Sequence, residues 1–116
     1  MRIDFDFKDL SRWDNFYRFF KAVYELKMVG TVRVTKTFKG YHIYSSFDTD
    51  PYKELTLREY FGDDSIRIMY DEERAMKIPH LFDVLYNYKV AGTFKVIKGR
   101  TVLIKTEEYE EEEVYV

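Results

Sequence analysis

The sequence contains no cysteine and no glutamine, and only two prolines and five glycines among its 116 residues. Without cysteine there is no disulfide framework, no thiolate zinc site and no cysteine nucleophile. No apolar run approaches the roughly 18 residues that a membrane-spanning helix needs, and the N-terminus lacks the pattern of a signal peptide. We therefore expect a soluble, cytoplasmic protein that has no membrane partner.

Hydrophobic residues make up 46% of the chain and aromatic residues 19%, which is enough for the core of a single domain. Lysine, glutamate and tyrosine are abundant while glutamine is absent, a bias typical of proteins from hyperthermophiles. The net charge of −2 argues against a constitutively basic nucleic-acid binder.

The charge is distributed unevenly along the chain. Residues 107–113 hold six glutamates, and because the net charge of −2 includes them, residues 1–106 carry +4. We expect one domain over residues 1–106, followed by an acidic tail over residues 107–116. Such a tail is typically a solvated chain end, and the alternative is an interaction tail or a nucleic-acid mimic.

The hydrophobic pattern changes its period several times and predicts an α+β fold. A strand ("RIDFDF") precedes an amphipathic helix ("DLSRWDNFYRFFKAVYELKM"), a hairpin ("TVRVTKT" and "YHIYSSF"), a helix bounded by Pro51 and Gly62, and a fourth strand ("SIRIMYD"). This βαββαβ order is that of ferredoxin-like and RRM-like folds. A C-terminal extension follows, with a β-hairpin that turns at Lys98 and Gly99, and we interpret His80 as a structural residue.

Polar side chains alternate toward one face of the predicted sheet. In a ferredoxin-like fold the spatial strand order is 4-1-3-2, and both helices cover the opposite face. The uncovered face then receives Asp4, Asp6, Arg33, His42, Tyr44, Arg67 and Asp71. Asp64, in the loop before the fourth strand, could approach from the strand's edge.

Three carboxylates on neighbouring strands are suited to Mg²⁺ or Mn²⁺. Asp4 and Asp6 are two residues apart on a strand, about 6–7 Å, and repel each other unless a cation lies between them. Asp71 would be the third ligand. The simpler interpretation is a solvated strand face, with Asp71 as the cap of a following helix.

Basic side chains would surround these acids. His42 is a candidate hydrogen-bond donor to a triphosphate or a base, and Arg33 and Arg67 are candidates to neutralise phosphate charge. Lys39, in the hairpin turn, is a further candidate nucleotide contact.

Three short motifs resemble those of the archaeo-eukaryotic primase superfamily, which includes primase-polymerases. They are Asp4-Phe5-Asp6, then Gly40-Tyr41-His42, then Met69-Tyr70-Asp71. The resemblance covers residues 1–71 and implies that the three acids bind the catalytic metal ions and that His42 contacts the incoming nucleotide. The chain departs from the family in being much shorter than its usual catalytic cores and in having no zinc-binding stem or strongly basic groove.

The resemblance implies nucleotidyl transfer in DNA replication or priming, with a nucleoside triphosphate and nucleic acid as partners. It also implies an archaeal viral or plasmid-borne origin, since "LREYFGDDSIRIMYDEER" is similar to short archaeal-virus and phage proteins of primase type.

Two other functions fit the same sequence. A non-catalytic RRM-like module would bind single-stranded nucleic acid or a protein through Arg33, Arg67, Tyr44, Lys36 and Lys39. A small viral regulator would act through its acidic tail. An exposed edge strand would favour a homodimer formed by strand pairing.

Overall fold

The computed structural model describes residues 1–79, 82–85 and 88–115, so His80 lies outside the described residues. The chain has an α+β fold, as the sequence predicts. In chain order the elements are β1 (Arg2–Phe5), α1 (Trp13–Val29), β2 (Val32–Lys36), β3 (Tyr41–Ser45), α2 (Pro51–Phe61), α3 (Ser65–Lys77), β4 (Tyr88–Ile97), β5 (Arg100–Glu110) and β6 (Glu112–Val114).

Two antiparallel sheets contain these strands. The main sheet has the order β1-β3-β2-β6, and β4 pairs with β5 in a separate hairpin. The predicted hairpin turn at Lys98 and Gly99 is confirmed, because Ile97 pairs with Arg100 and both turn residues have positive φ values, 49° and 73°. Two consecutive left-handed residues are typical of the tight turns that match strand twist.

The hydrophobic core lies between α1 and one face of the main sheet. The buried side of α1 consists of Phe19, Ala22, Val23 and Leu26. The apolar spacing that predicts this helix runs through different residues, and most of these are exposed: Trp13, Phe16, Tyr17, Tyr24 and Met28. The buried residues Ile3, Phe5, Val34 and Ile43 of the sheet belong to the same cluster. The opposite face, which we call the open face, carries Asp4, Arg33, Thr35, His42 and Tyr44.

Helix α2 begins and ends where its capping residues predict. The Asp50 side chain accepts hydrogen bonds from the backbone N–H groups of Tyr52 and Lys53, and Pro51 occupies the first turn. Gly62 ends the helix with a φ of 83°, a conformation that favours glycine. This reversal directs Asp63 and Asp64 toward β1.

The predicted fourth strand is wrong, because "SIRIMYD" forms the first half of α3. The buried residues of this helix are Arg67, Ile68 and Asp71, while Ile66 and Tyr70 are more than half exposed. The apolar alternation therefore did not mark a buried face. The inward face of α3 is mainly charged, and for this reason the hydrophobic pattern of the sequence does not reveal the helix. The predicted βαββαβ order is not confirmed.

Hydrogen bonds from α3 and its flanking loops replace a fourth strand along the outer edge of β1. They satisfy the outward-facing backbone groups of Arg2 and Asp4. The bonds run from Arg2 N–H to Asp83 Oδ2 (3.0 Å), from Arg67 Nη1 to Arg2 C=O (3.0 Å), from Asp4 N–H to Asp63 Oδ1 (2.7 Å) and from Asp64 N–H to Asp4 C=O (3.1 Å).

A buried ion network holds these groups together, and it consists of Arg58, Asp63, Arg67, Asp71 and Asp83. The side chain of Arg58 is fully buried and donates from Nε to Asp63 Oδ2 (2.6 Å) and from Nη1 to Asp71 Oδ2 (2.8 Å). Arg67 pairs with Asp63 (2.7 Å) and with Asp83. The network joins α2, α3 and β1.

The acidic end of the chain belongs to the main sheet. β6 pairs with β2, with Val114 opposite Val34. Glu111 is half-buried. Residues 112–114 of the predicted tail therefore add a strand to the sheet, while the side chains of Glu112 and Glu113 are exposed.

No helix in the described parts of the chain is long and apolar enough to cross a membrane.

Replacing Arg58 by methionine should lower the free energy of unfolding by about 3–5 kcal/mol, since it leaves buried carboxylates without their partner. We expect the melting temperature to fall by more than about 10 °C. The control is Arg12→Met, which removes only the exposed pair with Asp14 and should cost less than about 1 kcal/mol. Equal losses in the two variants, measured by urea denaturation, would contradict the role of the network.

Candidate functional site

Three carboxylates meet at the end of β1, and we call Asp4, Asp6 and Asp64 the carboxylate cluster. One oxygen from each lies within 4.8 Å of the others. Asp4 and Asp6 converge because alternate residues of an extended chain share a side. Asp64 joins them because its backbone N–H donates to the carbonyl of Asp4 (3.1 Å).

Local backbone geometry brings a positive charge to this cluster. A Cβ on Gly40 would lie 1.7 Å from the carbonyl oxygen of Phe5, so only glycine permits the start of β3 to approach β1 this closely. The neighbouring Lys39 is exposed and lowers the pKa of Asp6. Burial and the charges of Asp4 and Asp64 outweigh that effect, and the pKa of Asp6 is raised.

Asp71 does not belong to the cluster. Its side chain is fully buried and accepts hydrogen bonds from Arg58 (2.8 Å) and from the backbone N–H of Asp83 (3.1 Å). Its predicted place opposite Asp4 and Asp6 depended on the fourth strand, which is a helix. Asp64, which the sequence placed in a loop at the strand's edge, is the third acid instead.

Arg67 is also away from the open face, for the same reason. Its guanidinium lies in the buried ion network and donates to the Arg2 carbonyl (3.0 Å) as well as to the carboxylates of Asp63 and Asp83. These donors hold the edge of β1 and are not presented to solvent.

His42 lies in a row of paired residues across the open face. It is opposite Asp4 on β1 and Thr35 on β2, as the strand alternation predicts. Nε2 is 3.4 Å from Asp4 Oδ1, and Nδ1 is 3.0 Å from Glu111 Oε2. With only 6% of its surface exposed, His42 has a carboxylate at each ring nitrogen.

Glu111 completes this row, and the sequence did not identify it. Its carboxylate accepts hydrogen bonds from Tyr44 Oη (2.7 Å) and Thr35 Oγ1 (2.8 Å). Burial raises the pKa of Glu111, but the hydrogen bonds from Tyr44, Thr35 and His42 outweigh burial, so the pKa is lowered. Because Glu111 stands in a run of six glutamates, no local pattern distinguishes it from its neighbours.

Arg33 lies on the open face beside this row. Its guanidinium is 4.2 Å from the centre of the Tyr44 ring and 3.3 Å from Glu113. Burial, together with the nearby Glu111, raises the pKa of Tyr44 to about 12. The Tyr44 hydroxyl therefore remains protonated at neutral pH and can donate to Glu111.

The carboxylates on both sides of His42 favour its charged form. Burial opposes the charge, but the carboxylates of Asp4 and Glu111 outweigh burial and raise its pKa above 6.5. The charged His42 therefore stabilises the folded protein fully at pH values below the pKa of His42 in the unfolded chain. This contribution is lost as the pH rises through the pKa of His42 in the folded protein.

Replacing Glu111 by glutamine should lower the pKa of His42, because one of its two carboxylate partners loses its charge. Titration of the His42 ring resonances by NMR measures this shift. Glu113→Gln is the matched control, since Glu113 pairs with Arg33 instead. An unchanged His42 titration in Glu111→Gln would contradict the assigned geometry.

The chain has a relative among known proteins. No family model matches it, and no solved structure matches it. It is 60% identical over 92 residues to the uncharacterized protein ORF116 of Acidianus filamentous virus 2 (isolate Italy/Pozzuoli), an alignment that covers 79% of each chain. The chain therefore belongs to the same family as this viral protein.

Proposed function

We propose that the protein binds nucleotides in the presence of a divalent metal ion, in the manner of a minimal primase-polymerase core. Mg²⁺ or Mn²⁺ would be held by Asp4, Asp6 and Asp64. The observation that supports this proposal is the convergence of three carboxylates within 4.8 Å, beside Lys39 and His42. Asp64 takes the place that the sequence had assigned to Asp71.

The donor set suits such an ion. Hard divalent cations prefer carboxylate oxygens, and the three acids provide these without a histidine or sulfur ligand. Burial, followed by repulsion from Asp4 and Asp64, raises the pKa of Asp6, and a bound cation would relieve the repulsion. When bound, the ion would polarise a phosphate and orient it for attack by a hydroxyl group.

The residues around the cluster would have distinct tasks. His42 would hold Asp4 in place, because both ring nitrogens already face carboxylates. Lys39 is exposed beside Asp6 and could neutralise a phosphate that bridges to the metal. Arg33 is half exposed on the open face and could contact a more distant part of a nucleotide.

The fold is compatible with an RRM-like origin. The antiparallel order β1-β3-β2, with α1 between the first two strands in sequence, matches three strands of the 4-1-3-2 arrangement. Under this proposal, the buried ion network and α3 occupy the place of the fourth strand. A role in DNA replication or priming is part of the same proposal, and the relationship to a viral protein supports a viral setting for it.

A non-catalytic module for single-stranded nucleic acid is the second candidate. Two guanidinium groups, those of Arg33 and Arg2, lie 4.2 and 5.9 Å from the Tyr44 ring, so the open face presents positive charge next to an aromatic group. Binding by this route would depend on salt and would not require a metal.

Calorimetric titration of Mn²⁺ and ATP distinguishes the two candidates. We expect metal-dependent binding to the wild type and a loss of at least tenfold in affinity in Asp6→Asn, with binding weakening as pH falls because the cluster takes up protons. Asp48→Asn is the control, since Asp48 is exposed and outside the cluster.

The same variant gives a second readout. Without metal, Asp6→Asn should be slightly more stable than the wild type, because it removes a repelling charge from the cluster. Binding of Mn²⁺ that is equal in both proteins would contradict the metal site. Salt-sensitive binding of a single-stranded oligonucleotide without metal would favour the second candidate.

A further inference from the structure

Helix α1 has a second apolar stripe beside its buried side, and this stripe meets the core at Phe20. Trp13, Tyr17, Phe20 and Tyr24 follow one another at intervals of four, three and four residues. Trp13 is 76% exposed, Tyr17 55% and Tyr24 68%, whereas Phe20 is half-buried. We call these four residues the aromatic stripe. It lies on the opposite side of the sheet from the open face.

The rings of the stripe are connected through Phe16, whose ring centre lies 6.0 Å from that of Trp13 and 4.5 Å from that of Phe20. Ring centres lie 6.5 Å apart between Trp13 and Tyr17 and 6.4 Å apart between Phe20 and Tyr24. Tyr60 of α2 extends it sideways, because the ammonium group of Lys21 stacks over the Tyr60 ring at 3.8 Å. A buried aromatic side chain covers about 150–250 Å², so the exposed parts of these rings form a patch of several hundred Å². Patches of that size on soluble proteins mark interaction surfaces.

The spacing of the stripe indicates what covers it. Intervals of four and three residues are those of the core positions in paired helices, where each side chain packs between residues of a facing helix. We propose that the facing helix is α1 of a second copy of this chain, antiparallel to the first. This inference does not depend on the proposed metal site.

Charge complementarity fixes a register for this pairing. A twofold axis between Tyr17 and Phe20 sets Trp13 of each copy against Tyr24 of the other. It also brings Asp14 of each copy near Lys21 of the other, which gives two symmetric ion pairs beside the stripe. The pair that Asp14 makes with Arg12 is exposed and therefore weak enough to rearrange.

The charges along α1 favour a second copy over a nucleic acid. Asp14 and Glu25 flank Arg18 and Lys21 in the sequence, so the surface around the stripe carries both signs. A surface that binds the phosphate backbone would be predominantly basic. Met28, which is 83% exposed, lies on the same helix and adds apolar surface to the stripe.

This interface differs from the edge-strand dimer that the sequence favoured. The outer edge of β1 is already hydrogen-bonded by Asp63, Asp64, Arg67 and Asp83. Strand pairing at β6 is the remaining edge-strand alternative in the described main sheet.

Sedimentation velocity over a range of concentrations tests the proposal. We expect a dimer for the wild type and at least a tenfold weaker association for Tyr17→Glu. Met76→Glu is the matched control, because Met76 is 73% exposed on a different helix. Trp13 is the only tryptophan, so its fluorescence should shift to the red when the wild-type dimer dissociates on dilution.

Charge reversal tests the register. Asp14→Lys and Lys21→Asp should each weaken the dimer, and the double variant should restore it. A wild type that is monomeric throughout, or a dimer that Tyr17→Glu leaves intact, would overturn the proposal; the second result would point to β6. A wild type that is monomeric and binds a single-stranded oligonucleotide, with that binding lost in Tyr17→Glu, would assign the stripe to nucleic acid instead.

Discussion

The fully buried guanidinium of Arg58 is the constraint on which the rest of the structure depends. It joins Asp63, which follows α2, to Asp71 in the middle of α3. A charged group without water around it must have its partners in place, because the cost of removing its hydration is recovered only through close ion pairs. The turn after α2, the direction of α3 and the closed edge of β1 are therefore determined together.

The buried ion network lies among more acidic than basic side chains, and a proton bound to one acid reduces the excess of negative charge. Glu54 is buried near Asp83, and burial first, then Asp83, raises its pKa to about 8. Glu54 is therefore largely uncharged at neutral pH, which leaves Arg58 and Arg67 facing three aspartates. Buried ionic groups of this kind contribute less to stability than to the choice of a single arrangement. Here that arrangement replaces a fourth strand with a helix.

Apolar patterns predicted the parts of the fold that are held by apolar contacts. The alternation of Ile3 and Phe5 and the caps Asp50 and Gly62 correspond to observed elements. The apolar spacing of α1 predicted a helix but not its buried side, which is formed by Phe19, Val23 and Leu26. The prediction failed at "SIRIMYD" because the side of α3 that turns inward is held by ion pairs to residues on other elements. Two local signals were present, Asp64 as a helix cap and the charged run after Tyr70, and both are compatible with a helix.

The residues of the candidate site likewise divide into those that the sequence placed correctly and those that it did not. Asp4, His42, Arg33 and Tyr44 follow from strand alternation and lie together on the open face. Asp71, Arg67 and Glu111 could not be placed, because their positions depend on contacts between residues that are 13 to 76 positions apart in the chain. Contacts between residues so far apart in the chain produce no periodic pattern in the sequence.

One oxygen atom connects the network to the carboxylate cluster. Asp63 Oδ1 accepts from the backbone N–H of Asp4 (2.7 Å) and from that of Asp64 (2.9 Å), while Oδ2 of the same residue faces Arg58 and Arg67. Two members of the cluster are thereby held at a fixed separation despite their like charges. Since Arg58 and Arg67 hold Asp63, the spacing of the cluster is set by residues that never touch it. A ligand that drew Asp4 and Asp64 closer would act on the same network, and binding would be coupled to the stability of the whole sheet edge.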